Sequence, residues 1–145
     1  MDMKLISILL ILGLTLSGQT FATSEQAETS KESVDTLPSG NNWQVIRSVQ
    51  VGRSEKSVYL VLVNHDFYTD KTVYSNAINR LCRSEKEFCK IRFWSQLQNI
   101  PEKLSMKPDQ YKQMRAEYTF NKRSGMLKLT WSCTVDPDRT HCLDP

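Results

Sequence analysis

The sequence lacks the short motifs that usually reveal an enzyme or a nucleotide-binding protein. It contains no G-x-S-x-G, no C-x-x-C and no glycine-rich phosphate loop, and only five of its 145 residues are glycine. These absences exclude the sequence signatures of an α/β-hydrolase, a thiol–disulfide oxidoreductase and a P-loop protein. No run of Lys and Arg is longer than two residues, so the sequence has no basic tract of the kind that binds nucleic acid.

The first 22 residues have the three-part pattern of a secretory signal peptide. Lys4 precedes an apolar stretch of twelve residues, 5–16, and the small residues Thr20 and Ala22 fit the −3 and −1 positions of a cleavage site. The alternative is an uncleaved anchor, but a membrane span needs roughly 20 apolar residues. Residues 1–22 are therefore predicted to be removed on export, either to the periplasm or to the outside of the cell.

Residues 23–40 are predicted to form a flexible polar linker, and residues 41–145 one small domain. The linker has no aromatic residue and few apolar ones, so it cannot bury enough surface to offset its loss of chain entropy. The domain carries 17 basic and 11 acidic side chains. That surplus is compatible with another protein or an anionic envelope component as partner. A solvated, moderately basic surface is nevertheless the favoured interpretation, because the charges are scattered along the chain.

Four cysteines, Cys82, Cys89, Cys133 and Cys142, predict a disulfide-stapled domain, because an exported protein folds in an oxidising compartment. Four cysteines allow three connectivities, and sequence alone does not choose among them. Short local loops favour Cys82–Cys89 and Cys133–Cys142. The rival interpretation is a zinc site with His141, beside Cys142, and His65, but the C-x6-C and C-x8-C spacings lie outside the usual zinc patterns. No metal ion and no cofactor is therefore predicted.

Hydrophobic periodicity predicts the first half of the domain as strand, strand, helix. Alternation over 43–51 and a continuous apolar run over 58–63 predict a β-hairpin whose second strand is covered on both faces. Apolar residues at helical spacing from Val73 to Leu81 predict a helix that follows. Thr69 or Thr72 is the expected cap of this helix, because a hydroxyl can accept a hydrogen bond from a free N–H of the first turn.

The second half is predicted as strand, helix, strand. Residues 88–94 alternate as a strand, with Cys89, Ile91 and Phe93 on one face, and the last strand covers 127–133. A second helix is expected to begin at Pro108, whose missing N–H is not needed in a first turn, and to end near Asn121. One face of this predicted helix consists of Tyr111, Met114, Arg115 and Tyr118. We therefore predict an α+β domain, order ββαβαβ, with about four strands in one mostly antiparallel sheet and two helices on one face.

Three segments in this half carry a resemblance. They are FCKIRFW at 88–94, AEYTFN at 116–121 and LKLTWSC at 127–133. Together, with AEYTFN taken as the end of the second helix, they resemble a group of small exported bacterial proteins of unknown function that share FC-x-I-x-FW and L-x-W-x-C strands. The resemblance extends from Asn76 to Cys142. It implies a common core and common disulfides, and it implies no activity and no catalytic residues.

The apolar run 58–63 ends abruptly at Asn64, His65 and Asp66. An imidazole beside a carboxylate can act as a general base, which makes His65 and Asp66 weak catalytic candidates. However, neighbours on a strand point to opposite faces, and no nucleophile motif completes a site. Asn and Asp are also common where a strand ends, because their side chains bond back to the turn. A structural strand exit is therefore the favoured interpretation, and a functional site is the alternative.

Lys90, Arg92 and Trp94 share one face of the predicted strand 88–94 and are the weak candidates for binding. Basic and aromatic side chains combine in this way in proteins that bind single-stranded nucleic acid, but also in many soluble sheets. Nucleic acid is not an expected partner of an exported protein. The sequence as a whole favours an exported, non-catalytic binding module of the inhibitor or immunity type, without stable membrane insertion after signal cleavage. The alternative is a small secreted hydrolase that uses His65 and Asp66.

Overall fold

The computed structural model describes residues 36–138 and 142–143, so the predicted signal peptide and His141 lie outside the described residues. The described part is an α+β domain with six strands and two α-helices. The strands are β1 (Ser39–Gly40), β2 (Trp43–Gln50), β3 (Ser57–Val63), β4 (Phe88–Trp94), β5 (Met114–Asn121) and β6 (Met126–Trp131). The helices are α1 (Lys71–Cys82) and α2 (Pro108–Lys112). Neither helix is long and apolar enough to cross a membrane, within the residues that the structure describes.

All six strands belong to one sheet and lie in sequence order from β1 to β6. The α+β class and the mostly antiparallel sheet are confirmed, but the predicted number of about four strands was too low. Neighbouring strands are antiparallel except for β3 and β4, which pair in parallel. Helix α1 makes the crossover between these two strands, because a parallel pair cannot be joined by a tight turn.

A β-bulge divides β2 into two parts that face opposite ways. The register with β3 shifts after Val45, which leaves Ile46 as an extra residue. Before the bulge, Trp43 packs on the same side of the sheet as α1, whereas Val49 and Val51 pack on the other side. The single alternating pattern across 43–51 is therefore not one face of a strand, because one inserted residue reverses the direction of every side chain that follows.

Helix α1 confirms the first predicted helix. It buries one stripe of side chains against the sheet, namely Val73, Tyr74, Ala77 and Leu81. The cap is Asp70 rather than Thr69 or Thr72, because the Asp70 carboxylate accepts a hydrogen bond from the Thr72 N–H at 2.9 Å. Hydrogen bonds from the side chain and backbone of Thr72 also hold the pKa of Asp70 below its ordinary value.

The second predicted helix is wrong over most of its length. Helix α2 ends at Lys112, and Met114–Asn121 form the strand β5. Met114 and Tyr118 lie four residues apart, a spacing that suits one face of a helix, but in β5 a register shift at Arg115 places them on opposite faces of the sheet. The strand prevails because β5 pairs with β4 from Met114 to Asn121 on one side and with β6 from Ala116 to Asn121 on the other. The AEYTFN segment of the resemblance is therefore a strand and not a helix end.

The sheet has a hydrophobic core on each face, and the two helices lie on opposite faces. We call the side covered by α1 the α1 face and the opposite side the loop face. On the α1 face the core includes Val61, Val63, Ile91, Phe93 and the buried stripe of α1. On the loop face, Trp94 packs with Ile100 and Met114 and donates a hydrogen bond from Nε1 to the carbonyl of Gln110 in α2. The prediction that both helices pack on one face was wrong.

Both predicted local disulfides are present. Cys82–Cys89 joins the end of α1 to β4, with the Cα atoms 5.7 Å apart, and Cys133–Cys142 joins the residues after β6 to the C-terminal segment, with 5.0 Å between Cα atoms. At the other end of the described chain, β1 lies inside the predicted linker and pairs with β2. The sheet therefore begins two residues earlier than the predicted domain boundary at residue 41.

Candidate functional site

A cleft of about 610 Å³ lies where the parallel strands β3 and β4 end. Its wall includes the amide side chains of Asn42, Gln44 and Asn64, together with His65 and the buried Ser95. The position follows from topology, because strands that run in parallel deliver their carboxyl ends, and the residues after them, to the same edge of the sheet. The cleft therefore collects polar side chains, and it holds one of the two weak catalytic candidates.

The structure does not bring His65 and Asp66 together as a catalytic pair. Both belong to one short 3-10 turn, His65–Phe67, and both are exposed. The Asn64 carboxamide accepts a hydrogen bond from the Asp66 N–H at 3.1 Å, as expected where a strand ends in a turn. The imidazole stacks on Tyr68 with 5.6 Å between ring centroids, and Asp66 does not line the cleft. Among the described residues, therefore, no carboxylate is placed to orient the imidazole as a base.

Arg115 holds this end of the sheet in place, although the sequence analysis put it on a helix. Its guanidinium lies 4.8 Å from the centre of the Tyr68 ring, its Nε donates to Ser95 Oγ at 3.0 Å, and its second nitrogen donates to Thr134 Oγ1 at 2.8 Å. Arg115 thus links the turn that carries His65 to the end of β4 and to the residues after β6. These contacts are those of a structural residue, because two nitrogens of the guanidinium donate to side chains of the protein and its plane lies over a tyrosine ring.

Lys90 and Arg92 lie on the loop face, as predicted, and both bind Glu117 of β5. Lys90 Nζ lies 3.1 Å from Glu117 Oε1, and Arg92 Nε lies 2.7 Å from Oε2. Burial by itself would raise the pKa of Glu117, but the hydrogen bonds and charges of Arg92 and Lys90 outweigh it and hold that pKa below its ordinary value. Glu117 therefore carries a negative charge between two cations, and sequence analysis missed it because β5 was taken for a helix.

The third binding candidate, Trp94, is fully buried and does not share a surface with the two basic residues. Arg92 is also engaged with the protein, because it donates a hydrogen bond to the carbonyl of Leu104 at 2.9 Å. A ligand ring cannot stack on a buried indole, so the structure does not assemble these three residues into an exposed basic and aromatic surface.

The most exposed apolar side chains of the sheet lie on β6. Leu127 exposes 71% of its surface, Met126 48% and Leu129 36%. Leu127 and Leu129 lie on the α1 face, where the register places them beside Phe120 and Tyr118 of β5. Helix α1 leaves this part of the sheet uncovered. Leu127 and Leu129, together with Phe120 and Tyr118, form a contiguous apolar surface that we call the β6 patch.

Strand β6 is also the last strand of the sheet, so one side of its backbone has no full-length partner strand in the described part of the chain. At its far end the Leu143 N–H donates to the Trp131 carbonyl, and Ser132 and Leu143 form a parallel bridge. The remainder of β6 has no such cover from the described residues. Exposed apolar side chains and an open backbone edge therefore occur on the same strand.

Comparison of the chain with protein-family models, with curated proteins and with solved structures finds no match. The likeness to small exported bacterial proteins thus stays a prediction.

Proposed function

We propose that the protein is an exported binding module, of the inhibitor or immunity type, that binds another protein through the β6 patch. The observation that carries this proposal is the exposure of Leu127 and Leu129 on an outer strand. Natural proteins usually protect outer strands with charge, proline or a covering segment, because an exposed apolar edge invites pairing with other chains. An apolar surface kept open on such a strand is a mark of a binding interface.

The disulfides support export and a rigid binding surface. Two disulfides fit an oxidising environment, which agrees with the predicted signal peptide at residues 1–22. Cys82–Cys89 restrains the loop that leads from α1 into β4, and Cys133–Cys142 restrains the segment that follows β6. Both disulfides therefore lie close to the strands in the β4–β5–β6 half of the sheet. A surface that is ordered before binding loses less conformational entropy when a partner docks on it.

The alternative proposal is a small hydrolase that uses His65, and the cleft at the ends of β3 and β4 is the one observation that favours it. It is the weaker proposal because His65 stacks on Tyr68 and lacks a hydrogen-bonded carboxylate among the described residues. An imidazole needs a nucleophile or a water, and an orienting group, to act as a base in acyl transfer.

Capture with matched variants tests the proposal. Purified, oxidised protein would be immobilised, and the proteins retained from extracts of its own envelope and culture medium would be quantified by mass spectrometry. Leu127→Glu should abolish retention of the partner because it places a charge in the β6 patch. Leu97→Glu is the control, because Leu97 is a similarly exposed leucine, at 57%, that lines the cleft instead.

The outcome separates the two proposals. A protein retained by wild type and by Leu97→Glu, but lost with Leu127→Glu, supports binding through the β6 patch. A retention pattern that is the same for all three proteins contradicts it. Loss of a hydrolytic activity in His65→Ala, with an unchanged far-ultraviolet circular dichroism spectrum, would instead support the hydrolase.

A further inference from the structure

The hydrogen bond at the end of β6 fixes the direction of its backbone groups. The Trp131 carbonyl points away from β5, because it accepts a hydrogen bond from Leu143, whereas the Ser132 N–H points toward β5 and donates to the Arg115 carbonyl. The register of β6 with β5 contains no shift. Since alternate residues of a strand direct their N–H and C=O groups to the same side, Leu129 and Leu127 also direct theirs outward, away from β5.

The two faces of β6 differ: the α1 face carries apolar side chains, whereas the loop face carries Met126, Lys128 and Thr130. Leu127 and Leu129 lie on the α1 face, and Lys128 lies on the loop face. Lys128 is exposed and has no ion-pair partner among the described residues. The register places it in one row with Thr119 of β5 and Lys90 of β4. A chain beside β6 would thus meet two leucines on one of its faces, and on the other the single positive charge of Lys128 between Met126 and Thr130.

The chain itself already uses this edge for strand pairing. Leu143 lies alongside Ser132 in a single parallel bridge, next to the disulfide Cys133–Cys142. Within the described residues this contact covers only the end of β6, and no described residue pairs with the outward groups of Leu127 and Leu129.

We propose that the partner adds an extended segment to the outer edge of β6, in which apolar side chains alternate with acidic ones. This inference rests on the proposed function and specifies its mode of binding. The outward N–H and C=O groups of Leu127 and Leu129 pair with the backbone of the added segment. Its apolar side chains extend the β6 patch, and its carboxylates face Lys128. Strand addition of this kind takes its affinity from the backbone and its specificity from alternate side chains.

A second copy of the protein fits this edge poorly. If two β6 strands paired antiparallel around Leu127–Leu129, the two Lys128 side chains would lie opposite or diagonal to each other on one face. Like charges at these positions destabilise a strand pair. The charge on the edge therefore favours an acidic segment from a different protein over self-association.

Synthetic peptides test the proposal directly on the purified, oxidised protein. The probe is a peptide of about seven residues that alternates glutamate and valine, long enough to span the six residues of β6. The control peptide alternates lysine and valine. We expect the acidic peptide to protect the amides of Leu127 and Leu129 from hydrogen exchange. In Lys128→Glu its affinity should fall by roughly two- to fivefold for one cross-strand charge pair, whereas Lys103→Glu, an exposed lysine outside the sheet, should leave it unchanged.

N-methylation of the acidic peptide distinguishes strand pairing from an apolar contact. Two peptides would carry N-methyl groups on the odd or on the even residues, so that only one of them blocks the N–H groups that face β6. Loss of binding by one peptide and retention by the other supports strand addition. Equal binding by both, or no protection of the Leu127 and Leu129 amides, overturns it. The proposed function fails separately, when Leu127→Glu leaves capture of the natural partner intact.

Discussion

The ion pairs on the loop face make a quantitative prediction for Glu117→Gln, a change that keeps the size of the side chain and removes its charge. Glu117 accepts hydrogen bonds from Arg92 at 2.7 Å and from Lys90 at 3.1 Å, and the three side chains expose only 15–26% of their surface. Hydrogen bonds to charged groups contribute roughly 1.5–3 kcal/mol each, and partial exposure reduces that value. We therefore expect Glu117→Gln to lower the free energy of unfolding by about 2 kcal/mol at neutral pH.

The effect should depend on pH in a defined direction. The pKa of Glu117 is lower in the folded protein than its ordinary value of 4.5. Its stabilising contribution is therefore complete above about pH 4.5 and is lost as the pH falls through the folded-state pKa. Asp70 and Asp136 also have lowered pKa values, but they titrate in both proteins and their effects cancel in the difference. The stabilities of wild type and Glu117→Gln should converge in acid.

Urea unfolding at a series of pH values measures this difference. The matched control is Glu87→Gln, because Glu87 pairs with Lys122 at 3.0 Å while both side chains expose about two thirds of their surface. An exposed pair of this kind is worth less than about 1 kcal/mol. Equal losses for the two variants, or a gap for Glu117→Gln that persists when Glu117 is protonated, would refute the argument that the half-buried charges stabilise the sheet.

Three further predictions concern stability. In Gly40→Ala the new Cβ would lie 2.5 Å from Nε1 of Trp43, so the substitution should displace β1. The Val45 amide donates a hydrogen bond to the Pro38 carbonyl, just before β1, and its hydrogen exchange should therefore become faster. Replacing both cysteines of Cys82–Cys89 by serine should lower the free energy of unfolding by about 2 kcal/mol, since the disulfide closes a short loop. Urea unfolding measures this loss, and an unchanged urea midpoint would contradict the prediction. Tyr74→Phe should lower the free energy of unfolding by about 1 kcal/mol, measured by thermal unfolding, because it removes a buried hydroxyl that donates to the Tyr68 carbonyl. A loss larger than that of a neutral hydrogen bond would point instead to lost packing of the ring against Phe93.

The features that the sequence predicted correctly are the helices and strands with a clear hydrophobic pattern, and the disulfides between cysteines that are close in sequence. The hairpin, α1, β4 and β6 have clear patterns, and each disulfide closes a loop that is local in sequence. Strand β5 was missed because Tyr111, Met114 and Tyr118 recur at helical spacing, and a register shift at Arg115 hides the strand pattern by placing Met114 and Tyr118 on opposite faces. Only pairing with β4 and β6 decides between the two, and this pairing is not local in sequence.

The candidate site was harder to predict for a similar reason. The alternation of Leu127 and Leu129 with Lys128 indicates a strand with one apolar face, but not whether another element covers that face. Its exposure follows from the position of α1 over the middle of the sheet, and from β6 being an outer strand. The isolation of Lys128 and the burial of Trp94 likewise depend on the order of strands and not on the residues themselves.

The order of strands also determines the distance between the two outer strands of the sheet, β1 and β6. The chain enters the described structure beside β1, at one edge of the sheet, and β6 forms the opposite edge. Five inter-strand spacings separate them, or about 24 Å. A label or solid support attached ahead of residue 36 would leave β6 facing away from its point of attachment, whereas attachment after Leu143 would crowd the proposed docking edge. The point at which the chain enters the described structure and the proposed docking edge therefore lie on opposite edges of the sheet.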